Sequence, residues 1–173
     1  MVRVARIIKM YMKKFIFGLI LFASTQTAFS QVSSFYKGEW AMTDKNDLFT
    51  CYCKLEILPG AAARLEFIWT FLATDSSNQD MMTYYKGKKG KTGIEFTKGT
   101  YTAATNDVFL SSTDMVDPES ILGKGKYYLK ISADRQVIYG STASPEGTDP
   151  GLFYAVKIAM SNAEFEGMKS KIK

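Results

Sequence analysis

Two stretches on either side of Pro59-Gly60 constrain this chain most. Phe49, Cys51, Cys53, Leu55 and Ile57 alternate with Thr50, Tyr52, Lys54 and Glu56. Leu65, Phe67, Trp69, Phe71 and Ala73 alternate with Arg64, Glu66, Ile68, Thr70 and Leu72. On an extended strand a period of two sends alternate side chains to opposite faces. The Pro-Gly pair is a turn signal, so the spacing predicts two long strands joined as a β-hairpin.

The same grammar runs through the chain. Phe35 to Thr43 is expected as the first strand, and Asp44 to Asp47 as a turn. After a polar loop over Asp75 to Asp80, Met82 to Tyr85 and Ile94 to Phe96 are expected to flank the lysine-rich tip Lys86 to Lys91 as a second hairpin. That tip has no following helix pattern, so it is expected as a solvated turn rather than a phosphate loop. Thr100 to Ala103 and Val108 to Ser111 flank Asn106-Asp107 as a third hairpin, with a longer loop over 112–124. Tyr127, Leu129 and Ile131 then alternate with Lys126, Tyr128 and Lys130, and Val137 to Thr142 follows a turn at Asp134-Arg135. Beyond the Pro/Gly-rich Ser144 to Gly151, the last strand has Leu152, Tyr154, Val156 and Ile158 on one face. Phe165, Met168 and Ile172 give the tail Ala163 to Lys173 the spacing of a short capped helix. Eight or nine strands in simple succession predict an all-β fold: an up-and-down antiparallel β-barrel of about eight strands with a short C-terminal helix. Closing the barrel removes the sheet edges, which otherwise invite aggregation.

Ahead of this domain stand Lys13 and Lys14, the apolar run Phe15 to Ala23, and the small residues of Ala28-Phe29-Ser30 before Gln31. A basic segment, a short apolar run and a small-x-small site are the parts of a cleavable signal peptide. The apolar run is well short of the roughly 20 residues that cross a bilayer. Residues 1–30 are therefore expected as a signal peptide and 31–173 as a single barrel domain, secreted or periplasmic after cleavage at Ser30-Gln31.

Cleavage changes the charge. The chain has 22 basic and 17 acidic residues, and five of the basic ones lie before Gln31, where there is no acidic residue. The mature domain is thus balanced at 17 of each. That balance gives no footing to nucleic-acid binding or to an anionic membrane surface, both of which need a basic excess. The chain has no histidine, which excludes Ser-His-Asp and Cys-His catalysis and histidine-ligated metal or haem. No cofactor or metal motif stands out. Asp114, Asp117 and Glu119 share a loop but lack the spacing of a calcium loop, and are expected as solvated acids.

Gly38-Glu39-Trp40 near the mature N-terminus, followed by hairpin-connected strands and by the glycine-bearing strand Val137 to Thr142, resembles the calycin barrels, the lipocalins and avidins, whose first strand carries Gly-x-Trp. The resemblance implies a small secreted barrel whose interior holds a small apolar ligand. Gly38 and Trp40 share a face, and they are expected to close the base of the core.

Candidate wall residues for such an interior are Trp40, Trp69, Tyr85, Tyr101, Tyr128 and Tyr154, although aromatics also fill β cores with no ligand. Cys51 and Cys53 are the redox or disulfide candidates. Two residues apart on a strand, their Cα atoms sit about 6.6 Å apart, the outer limit for a disulfide, so a buried thiol pair is the plainer expectation. The expected function is an exported binding module for a small apolar or aromatic molecule or a protein partner. The alternatives are an exported hydrolase using loop carboxylates and a structural envelope protein without ligand.

The signal segment makes a direct prediction. Protein recovered outside the cytoplasm should have an intact mass corresponding to a chain that starts at Gln31; a mass retaining Phe15 to Ala23 refutes the assignment.

Overall fold

The computed structural model describes residues 32–42, 48–73, 79–147 and 151–173. The segment expected as a signal peptide, the turn expected over 44–47 and parts of the loops expected over 75–80 and 144–151 lie outside the described residues. Among the described residues eight strands form a closed antiparallel barrel in chain order. They are β1 (Val32–Met42), β2 (Leu48–Leu58), β3 (Ala62–Ala73), β4 (Thr92–Thr102), β5 (Asp107–Val116), β6 (Lys126–Ile131), β7 (Val137–Ala143) and β8 (Gly151–Ile158). Helix α1 (Gln79–Tyr84) lies between β3 and β4, and α2 (Asn162–Lys169) follows β8.

The alternation around Pro59-Gly60 forms the β2–β3 hairpin, with Leu55 opposite Leu65 and Cys51 opposite Trp69. The predicted strand over Met82 to Tyr85 is instead largely helix α1. The reason lies in the ring: β4 pairs directly with β3, Thr70 opposite Thr92 and Ile68 opposite Ile94, so no position remains between them for another strand. The two short segments expected around Ile94 to Phe96 and Thr100 to Ala103 are one strand, β4, and β5 extends to Val116, past a register shift opposite Phe96 and Thr97.

Inside the ring, Tyr36, Phe49, Leu65, Phe67, Trp69, Leu110, Tyr127, Leu129, Ile138 and Phe153 belong to one buried core. The end of the barrel carrying the β2–β3, β4–β5 and β6–β7 turns is plugged. There Tyr36 donates its hydroxyl to the Arg135 carbonyl at 3.2 Å, and Tyr101 donates to Asn106 Oδ1 at 2.8 Å. Trp40 does not close this base, as the sequence had suggested. It lies near the far end of β1, and the side chain that fills the base is Tyr36, four residues earlier.

Helix α2 starts with a capping box: Ser161 Oγ accepts from the Glu164 N–H, and Glu164 in turn accepts from the Ser161 N–H. Phe165 is buried against the outward-facing Phe35 and Ile68, so the helix packs on the outside of the barrel. Lys169 fixes its end through Glu66 at 2.7 Å. On the opposite flank, Phe109, Tyr128, Tyr139, Leu152, Tyr154 and Val156 leave an exposed apolar outer face over β5 to β8.

Inward-facing glycines let the strands coil tightly. A methyl group on Gly99 would overlap the Phe109 carbonyl of the neighbouring strand, whereas one on Gly167, in α2, meets nothing within 4 Å. Gly99→Ala should therefore destabilise the fold by about 1–3 kcal/mol. Gly167→Ala should stabilise it by roughly 0.5–1 kcal/mol, the helix-propensity gain. Urea melts check both, and a neutral Gly99→Ala would mean that β4 and β5 are less closely apposed than described.

Candidate functional site

The end of the barrel opposite the plugged base holds a cavity of about 220 Å³. Its walls are mostly aromatic. Trp40 from β1, Phe49 from β2, Trp69 from β3, Tyr85 after α1 and Tyr127 from β6 all line it. The four on strands arrive there by parity, each on the inward face toward the same end of its strand, and Tyr85 is brought in by the segment after α1. Trp40 is anchored by its indole N–H, which donates to Thr142 Oγ1 at 2.6 Å. Tyr85 stacks on Phe71 with centroids 4.2 Å apart and meets the edge of Phe49 at 6.3 Å.

The 117–125 loop folds over this mouth, and its shape follows from one carboxylate. Asp117 accepts from the N–H groups of Ile121 and Leu122, at 3.0 and 2.7 Å. That turn drives Ile121 into the barrel, where it is buried. The loop is also tied to the segment after α1. Tyr84 Oη donates to the Ser120 carbonyl at 2.6 Å, Lys88 Nζ to the same oxygen at 3.1 Å, and Lys91 pairs with Glu119 at 2.9 Å. The segment after α1 thus clasps the loop through Ser120 and Glu119, while Asp117 is engaged by the loop's own backbone N–H groups.

At the inner wall of the cavity stands Glu95, 2% exposed. Its Oε2 accepts from the Trp69 indole N–H at 2.9 Å and from the Tyr127 hydroxyl at 2.6 Å, and its Oε1 accepts from Ser112 Oγ. Among the described residues no lysine or arginine pairs with it; the ion pairs formed lie elsewhere. Burial pushes the Glu95 carboxyl above its ordinary value, against the three hydrogen bonds, which favour the charged form. Burial and the neighbouring carboxylate together push the Tyr127 hydroxyl well up, so it remains a donor.

Of the sequence candidates, Trp40, Trp69 and Tyr85 come together at the cavity. Tyr101 is buried but belongs to the plugged base. Tyr128 and Tyr154 point outward, 50% and 54% exposed, and this takes them off the cavity wall. Tyr128 shares its face with Lys126 and Lys130, so parity alone places it outside. For β8 the more apolar face, Leu152, Tyr154 and Val156, is the outer one, because Phe153 and Ala155 face in. Cys51 and Cys53 are free thiols, 1% and 0% exposed, on the inner face of β2. They do not form the disulfide that was one of the sequence expectations. Burial first, then the Cys53 neighbour, pushes the Cys51 thiol well up. That is the opposite of what a redox or metal-binding thiolate needs.

Glu95 and Ser112 were not singled out from the sequence. The available signal was the inward series Gly93, Glu95, Thr97, Gly99 and Tyr101, a period of two made from small and polar residues.

The raised carboxyl carries a pH prediction. Glu95 takes up a proton more readily in the folded chain than in the unfolded one. Its burial is therefore least costly below about pH 4.3, the unfolded value, and stability is lost as the pH rises from there through the raised folded value. Glu95→Gln removes this titration. Its amide oxygen still accepts from Trp69 and Tyr127, and its NH₂ faces Ser112, whose hydroxyl has the Gly125 carbonyl at 3.0 Å as another acceptor. In urea melts the wild type should lose stability relative to Glu95→Gln between pH 4 and pH 7; a pH-independent difference refutes the account. No family model, no curated protein and no solved structure matches the chain.

Proposed function

We propose that this protein is an exported binding module whose barrel takes a small aromatic or apolar molecule at its open end. The observation that carries this reading is the cavity itself, a concave, aromatic-walled space with a polar group set into its inner wall, which is the usual form of a small-molecule site. The Gly38-x-Trp40 resemblance to calycin barrels supports the same reading, and the segment from Lys13 to Ser30 supports export.

Size narrows the ligand. A space of about 220 Å³ is below the roughly 300–1,000 Å³ of drug-sized pockets. A single ring with a short substituent suits it better than a retinoid or a long fatty acid. The hydrolase alternative loses ground on the same geometry, because a carboxylate-pair mechanism needs two facing carboxyls, and among the described residues Glu95 is the one carboxylate lining the cavity.

Both tryptophans of the chain line the cavity, so they report on its occupancy. Burying about 200 Å² of aromatic surface at about 25 cal/mol per Å² yields about 5 kcal/mol, a Kd on the order of 0.2 mM. Titration with toluene should give a saturable change in tryptophan fluorescence in that range. The change should persist in Trp40→Phe, where Trp69 is the sole reporter. A linear response, or none, in both proteins rules the reading out.

A further inference from the structure

Resting on that reading, we propose that the ligand is a small organic cation, a single-ring ammonium compound whose charge is met by Glu95 and whose body is held by the surrounding aromatic faces. Three features of the cavity support this choice over a neutral ligand.

The first is an unmatched charge. Glu95 is buried, lines the cavity, and among the described residues has hydrogen-bond donors but no cationic partner. A buried carboxylate without a counter-charge is costly, and an ammonium group brought beside it supplies what the protein does not. The second is acceptor capacity. A carboxylate accepts about four hydrogen bonds. The indole of Trp69 and the hydroxyl of Tyr127 share Oε2, while Ser112 takes one position on Oε1. One acceptor position on Oε1 remains for a ligand N–H. The third is the wall. Trp40, Phe49, Trp69, Tyr85 and Tyr127 come from five different segments and line one space. Aromatic faces around a desolvated site attract cations through their quadrupoles, most strongly in the case of tryptophan.

Lys124 also lines the cavity, as an exposed residue of the loop at its mouth. Its charge is screened by solvent. The buried carboxylate acts in a low-dielectric interior and therefore sets the preference.

The test compares three probes of nearly equal size on the wild-type domain at neutral pH: benzylamine, which is then an ammonium, benzyl alcohol and toluene. Benzylamine should bind at least about tenfold more tightly than either neutral probe, by tryptophan fluorescence and by calorimetry. In Glu95→Gln the three should bind within about threefold of one another. Benzyl alcohol or toluene binding as tightly as benzylamine to the wild type overturns the cation assignment and leaves the small-molecule site standing. Failure of all three to bind overturns both. The comparison on the wild type decides the matter even if Glu95→Gln does not fold.

Discussion

Gly38 lies directly opposite Ala155, and on that pair of small residues the closure of the ring depends. A side chain at position 38 would overlap both the Tyr154 carbonyl and Ala155. With glycine there, β1 and β8 pair along eight positions, from Phe35 with Ile158 to Met42 with Gly151. This pairing joins the two ends of the domain and completes the set of strand hydrogen bonds. It also fixes which face of every other strand is inside, since each strand's register is set by its neighbours around the ring. The position of the cavity follows, because Trp40 stands two residues beyond Gly38 on the same inward face.

The two ends of the barrel then diverge for chemical reasons. At the base, tyrosine hydroxyls reach turn oxygens and the rings fill the space between strands. At the mouth, the corresponding volume is bounded by a loop that Asp117 holds in shape from one side and by Tyr85 from the other. The floor between is a stack: Trp69 lies on Phe67 at 4.7 Å, and Phe67 on Tyr127 at 5.1 Å. The outer two members of that stack are the ones that donate to Glu95. Packing therefore aims the donors, and the donors in turn hold the carboxylate against the cavity. A carboxyl in that position lowers stability near neutral pH, which is the kind of local cost that proteins retain where a site requires it.

Strand parity made most of the barrel legible. The hairpin around Pro59-Gly60, the inward positions of Trp40 and Trp69 and the capped helix at the tail all follow from spacing and turn chemistry. Hydropathy alone failed where the outside of the barrel is itself apolar. Ile68 and Phe35 face out yet are buried, because α2 covers them, so an apolar residue in β1 or β3 does not by itself mark the interior. In β8 the inward series includes the small Gly151 and Ala155, so the outward series Leu152, Tyr154 and Val156 is the more continuously apolar of the two. Glu95 was obscured for a related reason. Its neighbours Ile94 and Phe96 look like the buried pair, and the three groups that make the carboxylate tolerable come from β3, β5 and β6, distant in sequence. The α1 turn was misread because a short apolar run does not distinguish one helical turn from a strand; the β3–β4 pairing settles it.

Cys51 and Cys53 are placed where no reagent can reach them while the ring is intact. They sit side by side across from Gly38 and Tyr36 on one flank and from Trp69 and Phe67 on the other. Exposing them requires those strands to part, and in a closed barrel one seam cannot open widely without disturbing the next. The pair is thus a natural timekeeper for the molecule: the pace at which a thiol-specific reagent consumes it equals the pace at which the barrel breathes open, provided capture outruns reclosing.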